Sequence, residues 1–311
     1  MADKKKIALL GAGTMGIGIA QIFAQAGHEV KLIYVYDDKV RARPRETMEA
    51  NLNILREEGV QDGGAIPAIL DRVSWTESLE EAAAFADVVI ECIVEDLAVK
   101  QDYFQKLDAL CPLSTVLTTN TSAISVTEIA GKAVHKERII GTHFWNPAYL
   151  VPLVEVIRTK YVSEETVAAV FQLMEEAGKK PVLVKKDVPG FLANRMQHAL
   201  WREAISIVER GIADAATVDK AVRYSFGLRL PQLGPMENAD MVGTDLTYNI
   251  HDYILRDLED SHEPSPLLKQ LRDAGKIGFK TGEGFQKWTP EQVAQSNAEL
   301  NEYLIRMLYG K

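Results

Sequence analysis

The sequence predicts an α/β fold, a doubly wound and largely parallel sheet followed by an all-helical C-terminal domain. Three observations predict it. Short β-branched or aliphatic runs alternate with amphipathic stretches over the N-terminal stretch of the chain. A glycine-rich turn joins the first such run to the first helical pattern. Strand patterns stop beyond Lys185-Lys186-Asp187-Val188-Pro189-Gly190, and only helical periodicity follows. Strand–helix alternation needs crossover connections, which place helices on both faces of a parallel sheet.

In chain order, Ile7–Leu10, Val30–Tyr36, Val88–Cys92, Thr115–Thr118, Ile139–Phe144, Leu153–Ile157 and Val182–Val184 read as strands. Each is short and mostly β-branched or aliphatic. Met15–Ala26, Glu46–Glu57, Val99–Leu110 and Glu164–Ala177 carry helical spacing between them. Beyond residue 188 the predicted helices are Phe191–Arg210, Thr217–Tyr224, Met236–Leu258, Pro266–Ala274 and Pro290–Met307. Gly211, Gly227, Pro231, Gly234 and Pro264 punctuate the gaps. The domains are drawn as 1–187 and 188–311.

The 311 residues suit two domains at about 150 residues each. With 47% hydrophobic and 25% charged residues, a disordered or fibrous chain is excluded. The net charge of −9 argues against a nucleic-acid binder, which needs a basic face. Cys92 and Cys111 are too few for a disulfide framework and fit a reducing compartment. No histidine spacing suits a metal. Basic Met1–Lys6 before apolar Ile7–Ala26 has the outline of a secretory signal. The glycines inside that run have a better explanation, given next. No other apolar run could span a bilayer, so a cytoplasmic protein is expected, without membrane or nucleic-acid partners.

Gly11-Ala12-Gly13-Thr14-Met15-Gly16 matches G-x-G-x-x-G between a strand and a helix. That context makes it a dinucleotide-binding loop of Rossmann type. The first glycine permits the tight turn, the second leaves room for a pyrophosphate, and the third lets the helix pack on the strand. The helix N-terminus then meets the phosphates. An acidic residue for the ribose is expected about twenty residues on, where Tyr34, Asp37 and Asp38 lie. Asp37 fits if the strand runs to Tyr36. The basic run Lys39, Arg41, Arg43, Arg45 also suits a 2′-phosphate, so NADP stays open beside NAD; a solvated helix face is the simpler reading of that run.

Four polar residues stand where apolar ones are expected: Ser122 after a strand, His143 at a strand end, Glu155 inside Val151–Ile157, and Asn194 after Pro189-Gly190-Phe191. Ligands of open α/β sheets bind beyond the carboxyl ends of strands, so a cleft between the domains is expected. A carboxylate inside a strand is costly unless paired, and His143 is the natural partner for Glu155. Such a pair fixes the histidine tautomer and suits it to remove an alcohol proton while hydride leaves for a nicotinamide. A lone histidine at a strand end also serves structural ends, and that alternative stands beside the catalytic one.

These segments together resemble the 3-hydroxyacyl-CoA dehydrogenase family. The glycine loop running on to Ala20, Asn120-Thr121-Ser122, Gly141–Pro147, Val154–Ile157, Val188–Phe191 with Asn194-Arg195, Gly234-Pro235-Met236 with Asp240, and Gly278–Phe285 carry the resemblance in matching order. It implies an NAD-binding Rossmann-type domain, a helical domain that forms a homodimer, and reversible oxidation of a 3-hydroxyacyl substrate. It implies His143 as general base or acid, Glu155 as its orienting partner, and Ser122 and Asn194 around the substrate oxygen. Gly11, Gly13, Thr14, Met15, Gly16, Glu95, Lys100, Asn120 and Asn146 fall on cofactor positions, and Asn146 also borders the substrate.

The chain departs from the family twice. The family's ribose-binding aspartate falls on Tyr34. The segment Leu52–Gly64, where CoA-thioester members carry lysines for the CoA phosphates, holds one arginine and three acids. Like charge beside a phosphate-rich ligand disfavours it. The stretch Phe226–Pro235 looks closer to relatives that oxidise gulonate, carnitine or a pyridine carboxylate. There Arg229 would pair with a substrate carboxylate, or else form a surface ion pair. Three readings follow: a dehydrogenase of 3-hydroxyacyl-CoA esters, the same chemistry on a small free hydroxy carboxylate, and a non-catalytic nucleotide-binding protein.

Overall fold

The computed structural model describes residues 4–34 and 43–310. Its first compact unit runs to Asn194 and takes in the chain again from Leu300; the second is Arg195–Glu299.

In the first unit, β1 (Lys6–Leu10) leads through α1 (Thr14–Gln25) to β2 (Glu29–Ile33). Next come α2 (Pro44–Glu57), α3 (Ile66–Leu70), β3 (Val73–Thr76), α4 (Leu79–Phe85), β4 (Val88–Glu91), α5 (Leu97–Leu110) and β5 (Val116–Thr119). The unit continues with α6 (Val126–Ile129), β6 (Ile139–Phe144), β7 (Leu153–Ile157), α7 (Glu164–Glu176) and β8 (Lys180–Val184). The eight strands form one sheet in the order β3-β2-β1-β4-β5-β6-β7-β8. Every pair is parallel except β6–β7, where His143 stands opposite Glu155 in register. The sheet is buried on both faces because alternate residues of β1 feed two cores: Ile7 and Leu9 one, Ala8 and Leu10 the other.

Four elements of the first unit escape sequence periodicity: β3 and the short helices α3, α4 and α6. β3 reads Val-Ser-Trp-Thr, with Ser74 and Trp75 exposed, because it is an edge strand paired only with β2. α4 is short and alanine-rich, yet Ser78 caps it by accepting from the Glu81 N–H. In the second unit the single helix expected over Met236–Leu258 is two. Gly243 takes φ 102° and divides α11 (Pro235–Val242) from α12 (Thr244–Ile254). Gly227, expected in a gap, lies inside α10 (Phe226–Arg229). The other helices are α8 (Ala193–Glu209), α9 (Ala215–Arg223), α13 (Pro266–Asp273) and α14 (Pro290–Tyr309), the last of which passes into the first unit at Leu300. Within the second unit Ser206 is the one buried residue, while Trp201, Tyr224, Met236, Met241, Tyr248 and Tyr253 are exposed.

Under the sheet, Arg138 bonds the Asp108 carboxylate, with Nη2 to Oδ1 at 2.8 Å, and three main-chain carbonyls. His28 is 1% exposed; its Nδ1 accepts from the Lys5 N–H and its Nε2 has no partner. Burial, with Lys4 nearby, pulls the imidazole below its ordinary value of 6.5. The native state therefore holds His28 neutral, while the unfolded chain takes up a proton first as pH falls. This stabilisation is present above pH 6.5 and is lost below it. Urea denaturation should show a fall in stability from pH 7 to pH 5 that is smaller in His28→Gln; an unchanged slope in the variant would overturn the assignment.

Candidate active site

β1, β4, β5 and β6 all end at the same edge of the sheet; Asn120 and Ser122 follow β5 there, and His143 lies near the end of β6, opposite Glu155 within β7. At the first crossover Gly11 takes φ 110°, and a Cβ there would lie 2.7 Å from the Cys92 carbonyl oxygen. A Cβ on Gly13 would meet nothing within 4 Å, so its bareness serves no packing in the protein itself. Gly13 caps α1 without a side-chain bond, and the first turn holds no acidic residue. The free N–H groups and positive helix end suit a pyrophosphate. A Cβ on Gly16 would lie 1.9 Å from the Gly11 carbonyl oxygen. The third glycine therefore packs chiefly against the turn, where the sequence reading put it against the strand. Thr14 is exposed and Met15 half-buried on the core.

Tyr34 follows β2, and its N–H donates to the Thr76 carbonyl. Asp37, Asp38, Lys39 and Arg41 lie outside the described residues. Arg43 pairs with Glu46 and Arg45 with Asp71 at exposed positions, the solvated-face reading of that run.

The dyad is formed by the antiparallel register. His143 Nδ1 lies 2.7 Å from Glu155 Oε2, with both side chains buried. The Trp145 indole N–H reaches the same oxygen at 3.4 Å. Glu155 Oε1 accepts from the N–H groups of Leu192 and Ala193 at 2.8 and 3.0 Å. Those two amides are aimed by a turn in which Gly190 takes φ 74° and Phe191 φ 50°. A left-handed phenylalanine is strained, and full burial of its ring beside His143, centroids 5.6 Å apart, holds it there. Burial works to raise the Glu155 carboxyl. The bonds from His143, Ala193 and Leu192 outweigh it and hold the group below the ordinary carboxylate value. An ionised carboxylate only accepts, so Nδ1 carries a hydrogen toward it, and the lone pair of the neutral ring falls on Nε2.

A second buried carboxylate, missed in the sequence, orders the neighbouring turn. Glu91, wholly buried at the end of β4, binds the Lys100 ammonium at 2.6 Å and accepts from the Thr119 hydroxyl at 2.6 Å. Its signal was the one that marked Glu155, an acid inside an apolar strand. Lys100, which the resemblance places at the cofactor, is 1% exposed; its ammonium is paired with Glu91 and also reaches Glu95 at 3.3 Å. Glu95 Oε1 accepts from the Thr121 hydroxyl and the N–H groups of Ser122 and Ala123. Its role in the structure is therefore to shape the Ser122 turn. Asn194 Nδ2 donates to the Ser122 carbonyl at 3.2 Å, so these two predicted residues do come together. Asn120 Oδ1 accepts from the Phe144 N–H at 2.7 Å and ties β5 to the strand bearing His143. Asn146 is exposed beyond that strand. Arg229 is exposed at the end of α10 in the second unit.

The comparisons with known proteins agree with this geometry. The model of the NAD binding domain of 3-hydroxyacyl-CoA dehydrogenase matches residues 6–188, and that of its C-terminal domain matches residues 190–288. The mitochondrial hydroxyacyl-coenzyme A dehydrogenase of Homo sapiens is 35% identical over 291 residues, 91% of each chain. The 5-formyl-3-hydroxy-2-methylpyridine 4-carboxylate 5-dehydrogenase of Mesorhizobium japonicum is 33% identical over 311 residues, 99% of each chain. A crystal structure of an enzyme of that name, described as an NAD+ dependent dismutase, superposes with a TM-score of 0.91 at 33% identity. The match covers 99% of this chain and 100% of that one. With both domains matched in order, the chain belongs to the 3-hydroxyacyl-CoA dehydrogenase family.

Proposed function

We propose that the chain catalyses reversible, NAD-dependent hydride transfer at the secondary alcohol of a 3-hydroxyacyl substrate, with His143 as general base and acid. The observation that carries this is the His143–Glu155 contact, which leaves Nε2 basic and held in place. Bound NAD supplies the hydride acceptor. The open cradle at Gly13 and the uncapped N-terminus of α1 fit its pyrophosphate. In oxidation, His143 Nε2 takes the alcohol proton as the carbinol carbon gives up hydride, and the C–O bond becomes a carbonyl. In reduction the imidazolium returns that proton. Glu155 stays ionised throughout and stabilises the imidazolium. The Ser122 hydroxyl and the Asn194 amide would steady the oxygen whose charge changes.

A second reading, the same chemistry on a small free hydroxy carboxylate, is favoured by a specific observation. The family models end at residue 288, whereas the pyridine carboxylate dehydrogenase matches 99% of the chain. Glu57 and Glu58, exposed at the end of α2, add negative charge where CoA phosphates would need positive. Arg229 is then the candidate partner for the substrate carboxylate.

The site's test is NADH consumption with acetoacetyl-CoA beside free acetoacetate and a panel of keto acids. Turnover on the CoA ester alone supports the first substrate class, and turnover on a free acid alone supports the second. His143→Ala should lower kcat at least about a hundredfold with NAD affinity little changed. Near-normal turnover in that variant would overturn the assignment of the base.

The chain is further read as a homodimer. A helical unit with Ser206 as its one buried residue exposes far more apolar side chain than a stable monomer carries. Light scattering should give about twice the chain mass of 34.5 kDa; a monomer at micromolar concentration would contradict this.

A further inference from the structure

The connection between the dyad's strands, residues 145–152, is anchored by elements that neither touch His143 nor belong to the glycine loop. Leu150 is 2% exposed and packs with Leu55 of α2 and Ile305 of α14. Ile305 is the one buried residue of that 20-residue helix, at 1% exposure, and Leu304 and Tyr149 flank the contact. The helix follows residue 288, where the family's C-terminal domain model ends.

A second anchor comes from Lys179, just before β8. Its side chain is buried, and its ammonium donates to the carbonyl oxygens of Ala148 at 2.5 Å and Val151 at 3.0 Å. The N–H of the next residue, Lys180, donates to the Pro152 carbonyl at 2.8 Å. Burial with only neutral carbonyls bound pushes the ammonium down to about 8. A lysine kept at that cost, with no carboxylate bound, is there for the carbonyls. The same stretch also meets the cofactor helix: a Cβ on Gly18 of α1 would lie 3.1 Å from Ala148 Cβ.

We propose that Ile305 and Lys179 are positioning residues for hydride transfer, fixing the 145–152 connection and through it Asn146 and the register of His143 against Glu155. The proposal rests on the dyad reading above. A displacement of about 1 Å at reacting groups costs on the order of a hundredfold in rate. Loosening either anchor is therefore expected to act on kcat, leaving the glycine loop and its pyrophosphate contacts in place.

The experiment compares Lys179→Met, Ile305→Asp and the conservative Ile305→Leu with the unaltered protein. It measures kcat on the compound of that panel that is turned over fastest, and the Kd of NAD by fluorescence. The expected result is a kcat about ten- to a hundredfold lower in the first two variants. NAD Kd should stay within about twofold, and Ile305→Leu should keep kcat within the same margin. Unchanged kcat in Lys179→Met and Ile305→Asp would overturn the proposal, as would parallel loss of kcat and NAD binding. Where Ile305→Asp does not fold, Ile305→Ala, which only opens a cavity, carries the same test. Full activity in His143→Ala would sink the dyad reading separately, whatever the anchors do.

Discussion

A carboxylate buried within a sheet, Glu155, is the constraint on which the rest of the site depends. Unpaired, such a charge would cost several kcal/mol. Each of its oxygens is accordingly committed: one to His143 and Trp145, the other to the amides of Leu192 and Ala193. Satisfying the first oxygen requires the antiparallel β6–β7 pairing, the one break in an otherwise parallel sheet. Satisfying the second requires the left-handed turn at Gly190 and Phe191. The register of two strands and the entry into the first C-terminal helix thus follow from one charge.

Glu91, at the end of β4, has the corresponding role for the neighbouring turn. It holds Lys100, and Lys100 with Thr121 holds Glu95, whose carboxylate gathers the amides that begin the Ser122 turn. Each carboxylate is spent on groups of the fold, which is how a rigid sheet edge holds side chains in a geometry that loops alone would leave loose. Asn120 joins the two systems, because its side-chain carbonyl binds the amide of Phe144, next to His143.

Much of this was legible in the sequence, for definable reasons. Gly11, Gly13 and Gly16 are spaced as a dinucleotide turn requires; the structure gives Gly11 and Gly16 separate steric reasons and leaves the space at Gly13 open. His143 and Glu155 stood out as polar residues in apolar strands. The same rule applied to Val88–Cys92 would have found Glu91. Resemblance carries the position of Lys100 but not its burial, which depends on the carboxylates folded around it. β3 was missed because an edge strand with one neighbour has no need of a continuous apolar run. The break at Gly243 was missed because helical spacing continues across it while the backbone does not. The anchoring of residues 145–152 by Lys179 and Ile305 joins segments far apart in the chain, which no local pattern displays.

The chemistry of the site depends on Glu155 fixing the His143 ring with its hydrogen on Nδ1. The most direct measurement is the 15N spectrum of the histidine side chains above neutral pH, with His143 assigned by comparison with His143→Gln. The expected result is a single neutral tautomer with Nδ1 protonated and Nε2 bare. A ring protonated at Nε2, or averaging between the two tautomers, would contradict it.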